Sequence, residues 1–216
     1  MAATREPVLA CMTVNLPCWR VLVGGRTIES FEAVRDECED LTDDAIALAA
    51  WFNKNNLTFV TTSARAVRVW DGVTGELRCA DARISPAQKD LRSEITSFCP
   101  GTKGRKIIIG DAKGNIKVFN HVNYAELKSF EYDECGGRAH KGDVRALVFI
   151  EDHTILISAS SDRSIAIHDE SQNKNGSLLR RMTDASWSEI TAIQYSAHFG
   201  LIASGNVDGS IQVRYF

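Results

Sequence analysis

"SASSDRSIAIHDE", residues 158–170, sets a run of small residues, an Asp-Arg turn and an alternating strand in thirteen positions, and closes on an acid. Its His168-Asp169 pair invites a catalytic reading, because a carboxylate can orient an imidazole and raise its basicity. The same shape recurs along the chain: "VTTSARAVRVWDG" from Val60, "IIGDAKGNIKVFN" from Ile108 and "IASGNVDGSIQVRY" from Ile202. Each copy reads as strand, tight turn, strand. In the second strand of each copy Val67 and Val69, Ile116 and Val118, Ile165 and Ile167, and Ile211 and Val213 fall on one face, with Arg68, Lys117, Ala166 and Gln212 opposite. A period of two is the pattern of a β-strand.

The turns are rich in Gly, Ser and Asp, as hairpins require. A further apolar strand precedes each hairpin (Ile46 to Trp51, Ile95 to Cys99, Val144 to Ile150, Ile190 to Tyr195), and a fourth follows the first three (Gly75 to Cys79, Ala125 to Phe130, Ser177 to Met182). Equivalent strand ends at Asp71, Asn120, Asp169 and Tyr215 are spaced by 49, 49 and 46 residues, near the ~40–50 of propeller blades. "WRVLVGGRTIESFEA" is a fainter fifth copy, ending its alternating strand at Phe31-Glu32. One such unit cannot bury both faces, so neighbours must stack. The expected fold is all-β: a propeller domain over 1–216 with blades at 9–40, 43–80, 93–132, 142–183 and 188–216, the last without its outer strand.

Composition agrees with a folded, soluble chain: 44% of its residues are hydrophobic and 25% charged. A net charge of -3 provides no field to hold nucleic acid or an anionic membrane. Six scattered cysteines lack Cys-x-x-Cys spacing and read as reduced, buried thiols. The sequons Asn56-Leu57-Thr58 and Asn175-Gly176-Ser177 have no secretory signal to give them meaning, and no apolar stretch is long enough to span a bilayer. These features predict a cytoplasmic protein that inserts in no membrane.

At its strand ends the chain resembles the WD-repeat family, whose blades close their third strand with Trp-Asp and open with a His. Trp70-Asp71 matches directly, Phe119-Asn120 and His168-Asp169 are degenerate forms, and Arg214-Tyr215 keeps only the position. "AHKGDVRALVF" from Ala139 supplies the blade-opening histidine at His140, and Ser186 stands there in the final unit. The resemblance implies a structural hydrogen-bond network of His140, Ser158 or Ser160, and Asp162, with His168 in the place of Trp. Asp208 keeps the turn aspartate, whereas Ala64 and Lys113 replace it. "RSEITSF", "IIIGDAKGNIKVFN" and "DGSIQVRYF" are most similar to protist WD-repeat proteins that carry an EF-hand region and are associated with cilia and flagella. The acidic run "RDECEDLTDD" from Arg35 lacks the glycine and twelfth-position glutamate of a calcium loop, and reads as a loop between blades.

Five blades are fewer than the family's usual seven. The expectation is therefore part of a longer propeller that pairs with further blades, a closed five-blade ring being the alternative.

Chemistry finds little support. Successive strand residues point to opposite faces, so His168-Asp169 is not a dyad. His121, His140, His153 and His198 lack metal-ligand spacing, and "GTKGRKIIIGDAKGN" lacks the phosphate-loop pattern. No cofactor, metal or catalytic residue is expected. Arg65, Lys113 and Arg163 recur in the loops between second and third strands, which should open on one face, and Trp187 lies in the loop entering the last blade. They form the candidate rim for protein partners, against the simpler reading of solvated charge at turns. The sequence thus predicts a noncatalytic protein-interaction scaffold in a ciliary or cytoskeletal assembly. The alternatives are a propeller enzyme, or a calcium-responsive protein whose EF-hands lie outside this chain.

Overall fold

The computed structural model describes residues 21–23, 26–28, 47–64, 66–74, 77–79, 93–171, 177–183 and 185–216. Arg65, Phe31-Glu32, the acidic run 35–44 and Asn175 lie outside the described residues. All described regular structure is β, apart from three short 3-10 turns at Thr102–Gly104, Asp133–Cys135 and Glu151–His153. Among the described residues no helix is long and apolar enough to cross a membrane.

The chain forms a series of antiparallel meanders. A hairpin of β1 (Val21–Val23) and β2 (Arg26–Ile28) comes first. Blade 2 contains β3 (Ala47–Asn53), β4 (Thr58–Ser63), β5 (Val67–Asp71) and β6 (Leu77–Cys79). Blade 3 contains β7 (Ile95–Gly101), β8 (Lys106–Asp111), β9 (Ile116–Asn120) and β10 (Glu126–Ser129). Blade 4 contains β11 (Val144–Ile150), β12 (Ile155–Ser160), β13 (Ile165–Asp169) and β14 (Ser177–Met182). Blade 5 has only β15 (Ile190–Ser196), β16 (Leu201–Asn206) and β17 (Ile211–Tyr215). Strands pair in chain order within every sheet, and the final sheet stops at three. The all-β architecture, and a last sheet of three strands among the described residues, match the expectation from sequence.

Blades 2 to 5 begin the same way: the first strand carries a register shift one residue inside its start, at Ala47/Ala49, Ile95/Ser97, Val144/Ala146 and Ile190/Ala192. Such bulges increase local twist. At the second of these sites the skipped residue, Thr96, donates its hydroxyl across to Val144 O of blade 4 at 2.7 Å.

The core lies between blades. Val60, Val67 and Val69 of blade 2 pack against Ile95, Ile107, Ile109 and Phe119 of blade 3. Ile108, Ile116 and Val118 of blade 3 pack with Val144, Leu147 and Leu156 of blade 4, and Ile157, Ile165 and Ile167 of blade 4 with Ile190, Ile193 and Ile202 of blade 5. The third strand of each of blades 2 to 4 thus turns its alternating aliphatic face forward, onto the first and second strands of the next. Fully burying one such side chain is worth about 1.5–3 kcal/mol. The close fit leaves no room at Gly114, whose φ is +88° and where a Cβ would stand 2.2 Å from His140 O; this turn requires glycine.

Contacts near the ends of the third strands complete two of the junctions. His121, directly after β9, meets Thr58 Oγ1 at 3.2 Å and Asn56 Nδ2 at 2.9 Å in blade 2. Glu170, directly after β13, binds Lys106 Nζ of blade 3 at 2.7 and 2.8 Å, and its carbonyl accepts from Lys128 Nζ at 2.5 Å. Thr58 and Lys106 are equivalent first residues of their second strands.

Candidate functional site

Two arrangements gather the residues singled out by sequence: a buried hydrogen-bond wire in blade 4, and the loops on one face of the blades.

In the wire, Tyr132 Oη lies 2.6 Å from His168 Nδ1, His168 Nε2 is 2.7 Å from Ser158 Oγ, and Ser158 Oγ is 2.7 Å from His140 Nε2. His140 Nδ1 is 2.8 Å from Ser164 Oγ, which donates to Asp162 Oδ1 at 2.6 Å. Asp162 Oδ2 lies 3.5 Å from His140 Nδ1 and accepts from Lys141 N at 2.8 Å. Of the two serines left open by the resemblance, Ser158 is the member. Its register explains why: Ser158 pairs with Ala166 beside His168, whereas the hydroxyl of Ser160 instead accepts from Asp162 N at 3.1 Å, inside the turn.

Proton counting gives the wire a single direction. Ser164 must donate to the carboxylate, so it accepts from His140 Nδ1–H, and His140 Nε2 then accepts from Ser158. Ser158 in turn accepts from His168 Nε2–H, and His168 Nδ1 accepts the Tyr132 hydroxyl. Both imidazoles are neutral in this assignment, which follows from the network. Burial, opposed by Asp162, lowers the pKa of His140. His168 lies well below the ordinary value because it is buried and beside His140 and Arg181. Asp162 is held low, against its own desolvation, by its bonds to His140, Ser164 and Lys141 N. Ser158, His140 and Asp162 are the residue types of a hydrolytic triad, yet Ser158, His140 and His168 are fully buried, with no surface for a substrate to reach.

The replacement of Trp by His therefore leaves the network closed. In blade 2 the Trp form is present, Trp70 Nε1–H donating to Thr61 Oγ1 at 2.9 Å, and Asp71, next to it, is pulled down to about 2 by bonds from Thr74 N, Val73 N and Arg78. In blade 3 both positions are apolar, Ile109 and Phe119, and both are buried; losing two partners together is nearly neutral. The turn carboxylate there has moved two residues earlier: Asp111 accepts from Lys113 N and Asn115 N, at 2.9 and 2.8 Å. Sequence reasoning overlooked it, although the Asp-x-Lys-Gly-Asn run was its signal. Asn120 and Asp169 likewise cap the turns after their strands, accepting from Val122 N and Ser171 N.

In blade 5 the network is absent. Ser204 Oγ and Arg214 Nε are buried without hydrogen-bond partners, and Asp208 accepts from Ser210 in its own turn and meets Ser188 of the entering loop.

The outer loops are joined by backbone bonds. His140 N donates to Gly114 O, Ala185 N to Arg163 O, and Val207 N to Glu189 O. These place Lys113, Arg163, Trp187 and Asp208 on one face of the stack. Arg65 is outside the described residues. Lys113 is half-buried and Arg163 exposed, while Trp187 is 90% exposed, as is much of nearby Val207. Arg163 adopts φ +66°, in the left-handed region that Gly114 and Gly209 occupy in the equivalent turns. Among the described residues no group of three or more His, Cys, Asp or Glu side chains is placed to hold a metal.

Residues 133–169 match the WD40 family model, described as WD domain, G-beta repeat. The chain is similar to Cilia- and flagella-associated protein 337 B of Tetrahymena thermophila, 22% identical over 158 residues, and to the WD repeat-containing protein 3 homolog of Dictyostelium discoideum, 27% identical over 171 residues. These matches cover 73% and 76% of the chain, which spans only 12% and 16% of the lengths of these relatives. Among solved structures it is similar to the computationally designed Ika4 protein (28% identity, TM-score 0.60, 81% of this chain and 94% of that one). A chain of the Mitotic Checkpoint Complex shares the fold (19% identity, TM-score 0.60, 76% and 46% covered). Residues 133–169 thus match a WD40 repeat, and the described sheets on either side of it share the fold of these solved structures.

Proposed function

We propose that this chain is a noncatalytic scaffold that presents its turn-side face to protein partners, with Arg65, Lys113, Arg163 and Trp187 as the contact rim. WD-repeat proteins generally act as protein-interaction scaffolds, which supports the class. The observation that carries the rim is Arg163. Its side chain is exposed on a left-handed backbone that glycine would occupy without strain, and strain held at an exposed turn is characteristic of binding sites. Trp187 and Val207 beside it supply the apolar anchor that interfaces favour.

A second surface concerns further blades. Ile211 and Val213 occupy the positions that face the next blade at the three preceding junctions, and both are exposed. This face would receive the first two strands of another blade. The ciliary name of the Tetrahymena relative supports a place in a ciliary or cytoskeletal assembly, within the cytoplasmic compartment.

The test is affinity capture of partners from a ciliated-cell extract, comparing the wild-type chain with an Arg163→Gly, Trp187→Ala double variant. A loss of ten-fold or more in specific partners at undiminished thermal stability is expected. Undiminished capture would remove the rim from consideration.

A further inference from the structure

We propose that the Tyr132–His168–Ser158–His140–Ser164–Asp162 wire is a proton-operated latch that fastens the segment between blades 3 and 4, and that acid opens it. Tyr132 lies in that segment, just after β10, and forms an isolated bridge with Arg138. Three contacts hold it on blade 4: its hydroxyl on His168 Nδ1, its ring stacked on the imidazole at 5.6 Å, and Arg181 of β14 over the ring at 5.7 Å. Phe130, at the start of the segment, packs on the same imidazole at 4.7 Å. A tryptophan at position 168 would offer Ser158 a donor but give Tyr132 no acceptor. The histidine is therefore what ties the linker to the blade.

The wire tolerates protons poorly. Each imidazole must keep one nitrogen as an acceptor. A proton on His140 Nε2 would turn the Ser158 hydroxyl either to Ala166 O, at 3.5 Å, or to His168 Nε2, which drives that ring's own proton onto Nδ1 against Tyr132. A proton on His168 Nδ1 would force the Tyr132 hydroxyl to turn away. The charged groups facing the pair are Asp162 from the turn and Arg181 from β14, while Tyr132 from the linker meets them as a neutral phenol whose pKa burial raises. The Asp162 carboxylate lies at the far end from His168, and Arg181 repels a charge on either ring. Both rings are accordingly neutral when folded and take up protons only in the open chain, near pH 6.5. Stability increases with pH wherever the unfolded state binds more protons. The latch is thus at full strength above about pH 6.5 and weakens as pH falls below it.

Hydrogen exchange of the full chain, corrected for the intrinsic pH dependence of the chemistry, reads the latch directly. Peptides covering 129–141 should open at least ten-fold more between pH 7.5 and 5.5, while the strand β16, whose own residues include no histidine, changes less than two-fold. In His168→Trp the dependence should fall by one proton, a factor approaching ten per pH unit below pH 6. If the larger ring prevents folding, His168→Gln removes the same titration and should give the same reduced slope. An unchanged wild-type linker across this range, or a variant with the wild-type slope, would overturn the latch.

Discussion

In blade 4 the third strand buries Ile165 and Ile167 at 0% and 4% exposure, whereas in blade 5 the equivalent Ile211 and Val213 are 75% and 59% exposed. The polar positions differ in parallel. Ser158 joins two histidines, while its equivalent Ser204 is buried without a partner. Even the lack of a described fourth strand in blade 5 is partly compensated. In blade 4, Arg181 of the fourth strand donates to Ala139 O; in blade 5, Arg214 of the third strand takes over and donates to Ala185 O. Two units of one pattern therefore differ in energy because of their neighbours. Burial and network closure are properties of the junction, and a repeat whose forward face is uncovered keeps its shape without its reward.

The largest expected contrast is Ile165→Asp against Ile211→Asp. The first places an unpaired charge between blades and should cost more than about 4 kcal/mol. The second meets water and should stay within about 0.5 kcal/mol. Urea denaturation followed by fluorescence separates them, and equal midpoints would dissolve the distinction between the blades. Next, Ser158→Ala should cost about 2–3 kcal/mol by orphaning two buried imidazoles, while Ser204→Ala should be neutral or slightly stabilising, since it removes a hydroxyl that has no partner; the same denaturation curves decide. The smallest contrast is in the turns. Arg163→Gly should raise stability by about 0.5–1 kcal/mol by relieving the positive φ, and Gly209→Arg should lower it by a similar amount. A shift of melting midpoint in opposite directions checks both.

The blades were legible because alternation and turn chemistry are local: Ile116 and Val118, or Ile165 and Ile167, announce a face without any knowledge of what covers it. The choice of Ser158 over Ser160 depended on register with His168, which no local rule supplies. Tyr132 was invisible for a similar reason. It sits in an aperiodic linker, and only folding brings it to a histidine 36 residues away. Asp111 could have been found from its own turn motif. His121 and Glu170 could have been noticed as the residues that follow each repeat, yet nothing in the letters paired them with Asn56, Thr58 and Lys106. For the rim, exposure of Arg163 followed from its turn, whereas its left-handed backbone did not, because glycine is the residue that normally signals that conformation.

Chains built of similar units risk assembling them in the wrong order, since any aliphatic face accepts another. The contacts after the third strands oppose this. His121 belongs with the hydroxyl and amides of blade 2, and Glu170 with the two ammonium groups of blade 3. A stack slipped by one repeat would bring the Glu170 carboxylate to Thr58 and leave Lys106 without its anion, and breaking a buried pair in this way costs about 3–5 kcal/mol. Unlike contacts at equivalent places act as addresses, so that each blade recognises its own predecessor while the chain is still finding its order.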